Sequence, residues 1–208
     1  MGEKEQMNLG IYNIRDMIVN GDEELVKNVI STFSCSRKKD DGTVELLNPD
    51  IENFLNKNAI QFTKMKTAIT YLVIDEEDAA LLGFFTIAHK PLNIPTNGIS
   101  RKVKDKVKRF SSVNEETNSY DISAFLLAQF SKNYAVENGT RITGSQLMAI
   151  VHQKMQEIQN LVGGTIEYLD CEANAGLIKF YESEGFTLFG ERISEKDGKR
   201  YLQYLSFI

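Results

Sequence analysis

At 208 residues, 42% hydrophobic and 25% charged, the chain carries enough apolar content for one domain with a sizeable core. No apolar run approaches the roughly 20 residues of a membrane helix, and Met1–Gln6 has no apolar segment of the kind a secretion signal carries, so a cytoplasmic protein without membrane contact is expected. The formal net charge of −5 argues against a chain built mainly to bind nucleic acid and modestly favours a cationic substrate such as an amine. Two cysteines, Cys35 and Cys171, lack CxxC spacing, and two histidines, His89 and His152, supply too few partners for a metal site. No Gly-x-Ser-x-Gly elbow points to a serine hydrolase.

In chain order, residues 1–28 read as an N-terminal helical arm, with Leu9, Ile11, Ile14, Met17 and Ile18 at roughly helical intervals and Asp22-Glu23-Glu24 opening a second segment. Val29–Cys35 reads as a first strand, and Ser36–Thr43 as an exposed charged turn. Asn48-Pro49-Asp50 starts a helix: a cap residue, proline in the first turn, acid at the positive end. Ala68–Asp75 and Leu81–Ala88 form the clearest hairpin, joined by Glu76-Glu77-Asp78. An insertion at about 90–118 follows. Within it, Val103, Val107 and Phe110 share a helical face ringed by Arg101, Lys102, Lys104, Lys106, Lys108 and Arg109. That basic stretch suits a solvated helix, a lid over an acceptor, a patch near phosphates, or an RNA contact.

Tyr120–Gln129 is the fourth strand, Gly163–Cys171 the fifth, and Phe186–Gly190 a sixth. After a charged turn at 192–199, Arg200–Phe207 closes a mixed sheet of about seven strands with helices on both faces.

Between the fourth and fifth strands lies Arg141-Ile142-Thr143-Gly144-Ser145-Gln146-Leu147. Thr143 with Gln146 three residues on has the form of a capping box, so a helix should begin near Gly144; its apolar stripe is Leu147, Val151, Met155, Ile158 and Val162. A helix start presents unpaired N–H groups and partial positive charge, which suits phosphate, and Gly144 removes the Cβ that would keep a phosphate at a distance. After the fifth strand comes Asn174-Ala175-Gly176-Leu177-Ile178-Lys179-Phe180-Tyr181, closing on Gly185-Phe186.

This order resembles the GNAT N-acetyltransferases, whose motif has Asn at a helix start, Tyr seven residues later and a closing Gly-Phe. The loop is similar to that family's R/Q-x-x-G-x-G/A pyrophosphate loop. It is filled here by Arg141, Gly144 and, in the last place, Gln146 rather than Gly or Ala. Phe33-x-Cys35, Asp50, Phe54-Leu55 and Ala59 also resemble the N-terminal pattern of a GNAT branch that includes toxin-like acetyltransferases.

The resemblance implies a mostly antiparallel α/β sheet splayed between its fourth and fifth strands, in a domain spanning 29–208. It implies acetyl-CoA as cosubstrate, held by Arg141, Thr143, Gly144, Ser145 and Gln146, with Leu126, Leu127 and Ala128 along the pantetheine and Asn174 beside it. Tyr181 would lend a proton to the departing sulfur: a phenol is protonated at neutral pH and a free thiol is the stronger acid. Asp121 stands where some members carry a basic carboxylate, while Glu167 and Glu172 are further acids near the fifth strand. The implied reaction is direct attack of a small-molecule or protein amine on the thioester, with nucleic acid disfavoured as partner, no metal, and a homodimer left open. The alternatives are a non-catalytic CoA-binding regulatory module and toxin-like acetylation of aminoacyl-tRNA.

Overall fold

The computed structural model describes residues 8–195 and 198–208. Met1–Met7 of the expected arm, and Lys196 and Asp197 of the expected turn, lie outside them. By contacts the chain divides into a first unit, Met1–Ile87 with Gln129–Leu147, and a second, Ala88–Ala128 with Met148–Ile208.

In the first unit, β1 (Leu9–Asn13) pairs antiparallel with β4 (Ile69–Asp75), from Leu9 opposite Asp75 to Asn13 opposite Tyr71. The expected helical stretch therefore also contains a strand. Asn13 ends it and caps α1 (Ile14–Asn20), its Oδ1 accepting from Arg15 N at 2.9 Å. Asp22 caps α2 (Glu23–Ile30) in the same way.

Val29–Cys35 is not a strand. Val26 and Ile30, one helical turn apart, are both buried, so α2 continues to Ile30 despite the β-branched run. Ser31 and Thr32 then turn their hydroxyls back onto the Asn28 and Val29 carbonyls, each at 2.7 Å, and the helix stops. Beyond it, one side chain pairs main-chain groups from several segments. Asn133 accepts from Ser34 N at 2.9 Å and Ala135 N at 3.0 Å, and donates to Thr32 O at 3.1 Å and Leu81 O at 2.8 Å.

The charged turn at 36–43 is the tip of a small hairpin, β2 (Ser36–Lys38) with β3 (Val44–Leu46), braced by Arg37–Glu45 at 3.1 Å. Helix α3 (Pro49–Lys57) starts as expected, Asn48 Oδ1 accepting from Asp50 N and Ile51 N. It leads through α4 (Ala59–Lys64) into β4. Phe33, Cys35, Leu55 and Ala59 all enter this unit's core with Ile14, Val26, Ile30, Leu72 and Phe84, which is the packing reason for that N-terminal pattern.

Strand β5 (Leu81–Pro95) forms the expected hairpin with β4 and runs seven residues past Ala88, so much of the expected insertion is strand. The second unit continues with α5 (Arg101–Val107), β6 (Val113–Asn114) and β7 (Ser119–Lys132, whose last residues belong to the first unit). Helix α6 (Gly144–Val162) follows, then β8 (Ile166–Glu172), α7 (Ala175–Ser183), β9 (Thr187–Ile193) and β10 (Arg200–Phe207).

On the expected stripe of α6, Leu147, Val151 and Met155 are fully buried, whereas Val162 is 67% exposed. The second unit's core gathers Leu92, Ile94, Val103, Val107, Tyr120, Ile122, Ala124, Ile166, Tyr168, Phe189 and Leu205. Each fully buried aliphatic side chain there contributes about 1.5–3 kcal/mol. Strand order in the sheet is β1-β4-β5-β7-β8-β10-β9, with β6 on β7; β10 lies between β8 and β9 and is antiparallel to both.

Candidate active site

The loop before α6 belongs to the first unit, and its capping box forms. Thr143 N and Oγ1 both donate to Gln146 Oε1 at 2.9 Å, and Gln146 N donates back to Thr143 Oγ1 at 3.1 Å. Leu147 N donates to the Thr143 carbonyl at 3.1 Å. The amides of Gln146 and Leu147 are thus committed inside the helix start, whose first two positions are Gly144 and Ser145.

Arg141 also finds a different partner from the one expected. Its guanidinium bridges Asp78 Oδ2 at 2.6 Å and Asp75 Oδ2 at 2.7 Å, tying the loop to the β4–β5 turn. Asp75 is buried and needs this cation. The bond to Asp78, ahead of that to Asp75, pushes the Arg141 pKa up, and the Asp78 carboxyl is held below its usual range in return.

In the second unit, β7 and β8 run parallel and pair at two positions, Phe125 with Glu167 and Leu126 with Tyr168. Leu126 is half-buried, Leu127 buried and Ala128 half-buried; Leu127 and Ala128 lie beyond the last register pair. At the foot of β8, Gly164 has φ +108° and sits so close to Phe125 that a Cβ would fall 2.6 Å from the ring.

Asn174 is the cap of α7, accepting from Gly176 N at 2.8 Å and Leu177 N at 3.4 Å. Tyr181 on that helix is 8% exposed, set among the rings of Phe180, Phe186 and Tyr204. Burial first, and the nearby Cys171 second, push its phenol well above the usual tyrosine pKa, so it is firmly protonated at neutral pH.

Asp121 is exposed and receives three donors: Asn93 Nδ2 at 2.5 Å, Asn114 Nδ2 at 2.8 Å and Ser119 Oγ at 3.1 Å. Those bonds, Asn114's foremost, hold its carboxyl below the usual range, which makes it a weaker base than an ordinary aspartate.

A pair that sequence reasoning did not assemble sits beneath α6. His152 Nδ1 lies 2.8 Å from Oε1 of Glu167, whose side chain is 2% exposed, and Glu167 Oε2 is buried without a partner among the described residues. The His152 ring stacks on Phe186 at 5.8 Å and 26°. The one sequence signal was an acid amid the buried strand residues Ile166, Tyr168 and Leu169. Among the described residues no cluster of His, Cys, Asp and Glu could hold a metal, and no helix is long and apolar enough to cross a membrane.

No family model matches the chain, and no curated protein does. Solved structures do. AtaT complexed with acetyl-methionyl-tRNAfMet superposes with a TM-score of 0.61 at 14% identity, over 94% of this chain and 94% of that one. A KacT mutant superposes at 0.59 and 14% identity, over 95% and 94%. AtaTR bound with acetyl-CoA superposes at 0.56 and 14% identity, over 96% and 92%. The chain has the GNAT fold. In GNAT terms β7 and β8 are the fourth and fifth strands, and their pairing is confined to two positions, where the splay was expected. The GNAT-fold neighbours hold acetyl-CoA in one case and an acetylated aminoacyl-tRNA in another, so a nucleic-acid partner, disfavoured by net charge, is found within this fold.

Proposed function

We propose that the chain is an acetyl-CoA-dependent N-acetyltransferase acting on a primary amine by direct attack. The observation that carries this reading is the two-position pairing of β7 with β8, which ends at Leu126. Past that point the main chain of Leu127 and Ala128 is available to pair with a pantetheine arm, and an oriented N–H there polarises a carbonyl. The diphosphate falls to the loop at Gly144 and Ser145, where a glycine opens the helix. Arg141 acts indirectly, fixing that loop through Asp75 and Asp78. Acetyl-CoA supplies the activated acyl group, and Tyr181 keeps a proton on its phenol oxygen for the departing sulfur. With Asp121 held as a weakened base, the amine arrives neutral or loses its proton to water.

The test is a thermal-shift comparison of acetyl-CoA with CoA, followed by an amine panel read by thiol release. Binding should raise the melting temperature by mass action. No shift with either ligand would sink the reading.

One observation favours an aminoacyl-tRNA acceptor over a small amine. On and just after α5, Arg101, Lys102, Lys108 and Arg109 are exposed, whereas Lys104 and Lys106 are drawn in toward the Thr96 carbonyl and the Phe207 ring. Four exposed cations on an otherwise acidic protein form a footprint for a polyanion. RNA binding that weakens steeply with added salt would support this acceptor. Salt-insensitive or absent binding would leave the small-amine reading.

A further inference from the structure

Two groups meet the His152 ring: Glu167 Oε1, 2.8 Å from Nδ1, and the ring of Phe186, just past the end of α7, at 5.8 Å. Two features favour the charged ring. A carboxylate as buried as Glu167 requires a counter-charge, and the end of α7 carries the negative pole of its helix.

The ionisable groups facing the ring are Glu167 from β8 and Glu184 from the end of α7. On α6 itself the residues one turn away are Met148, Ala149, Met155 and Gln156, none ionisable. Phe186, stacked on His152, also sits 5.9 Å and 80° from Tyr181, so the two rings share one neighbour.

We propose that His152 is a positioning residue: as an imidazolium it clasps the C-terminal end of α7 to Glu167, and through Phe186 it holds Tyr181 in the orientation that delivers a proton. The role in catalysis rests on the acetyltransferase reading; the clasp itself does not. The hydrogen bond to Glu167, partly offset by burial and reinforced by the charges of Glu167 and Glu184, raises the His152 pKa above its ordinary value. A raised pKa sets the sign. The clasp is fully present below the ordinary histidine range and is lost as pH rises through the raised value.

The chain has two histidines, so its imidazole spectrum is simple, and a His89→Gln variant assigns the two signals. In a pH titration of the full chain by NMR, His152 should titrate above the ordinary histidine value. The amide signals of Tyr181, Gly185 and Phe186 should move with the His152 midpoint and not with that of His89. Glu167→Gln should bring the His152 midpoint down, with the amide midpoints following.

In turnover, kcat should fall about tenfold across the same midpoint while the KM for acetyl-CoA holds, and His152→Gln should be slow at every pH with that limb gone. Amides that stay silent while His152 titrates, or a His152 midpoint at or below the ordinary histidine value, would overturn the clasp. Coupled amides in a protein that transfers no acetyl group would instead leave the clasp standing and remove the acetyltransferase reading.

Discussion

Asn133 in the first unit and Glu167 in the second are both about 1% exposed, and they are treated in opposite ways. Asn133 spends its amide completely, on four main-chain partners from three segments of chain. Glu167 has one oxygen on His152 and the other on nothing among the described residues. A buried polar group with every bond made is architecture; it replaces a sheet partner that Thr32 and Ser34 do not have. A buried acid left half-partnered is costly to keep, and such costs gather where a protein does chemistry. The contrast teaches two uses of a buried polar group: Asn133 closes main chain, while Glu167 faces His152, whose ring stacks on the Phe186 that also packs on Tyr181.

Substituting leucine at both positions is the sharpest way to break that comparison. Asn133→Leu orphans buried main-chain groups and should cost about 3 kcal/mol or more, read as a lowered urea midpoint. Glu167→Leu combined with His152→Leu, which removes both partners of the buried pair, should stay within about 1 kcal/mol of the parent, because replacing such a pair by apolar side chains is often neutral. Equal losses at both would erase the distinction.

Next in size is Tyr181→Phe, expected to lower kcat by about 10²-fold or more in thiol release while acetyl-CoA affinity holds. A variant that keeps full turnover would remove Tyr181 from the chemistry. Gln146→Ala restores the small residue of the GNAT loop but removes half of the capping box. It should cost about 1 kcal/mol in the melting curve and leave acetyl-CoA binding within about twofold. The smallest effect concerns Cys35 and Cys171, whose thiols burial pushes up to about 11. Both should resist alkylation at pH 8 in the native protein and react once it is unfolded.

What could be read from the sequence was mostly what short-range chemistry decides. The Thr143–Gln146 box, the Asn48 and Asn174 caps and the β4–β5 hairpin each depend on residues a few positions apart, and each formed as read. Val29–Cys35 failed because a β-branched run also fits a helix when Val26 and Ile30 share a buried face. The β5 extension through Pro95 was hidden because Lys90, Pro91 and Asn93 are exposed and of polar or strand-breaking types.

The Arg141 bridge to Asp75 and Asp78 spans more than sixty residues, and His152 meets Glu167 across a helix and a turn. No local pattern encodes such partners. The resemblance carried in the loop and the Asn–Tyr helix suggested where to look for a site, and the bonds made by Arg141, Gln146 and Asp121 show which of those residues already have partners.

The two glycines that end α6 carry different tolerances. Gly163, at φ +75°, has open space where a side chain would begin, so asparagine, which visits that backbone region, should substitute there at modest cost. Gly164 is closed twice over, by φ +108° and by the Phe125 ring in the path of any Cβ. A saturation library selected for folding should therefore return some variety at the first position and glycine alone at the second, and only a smaller residue at 125 would begin to relax that veto.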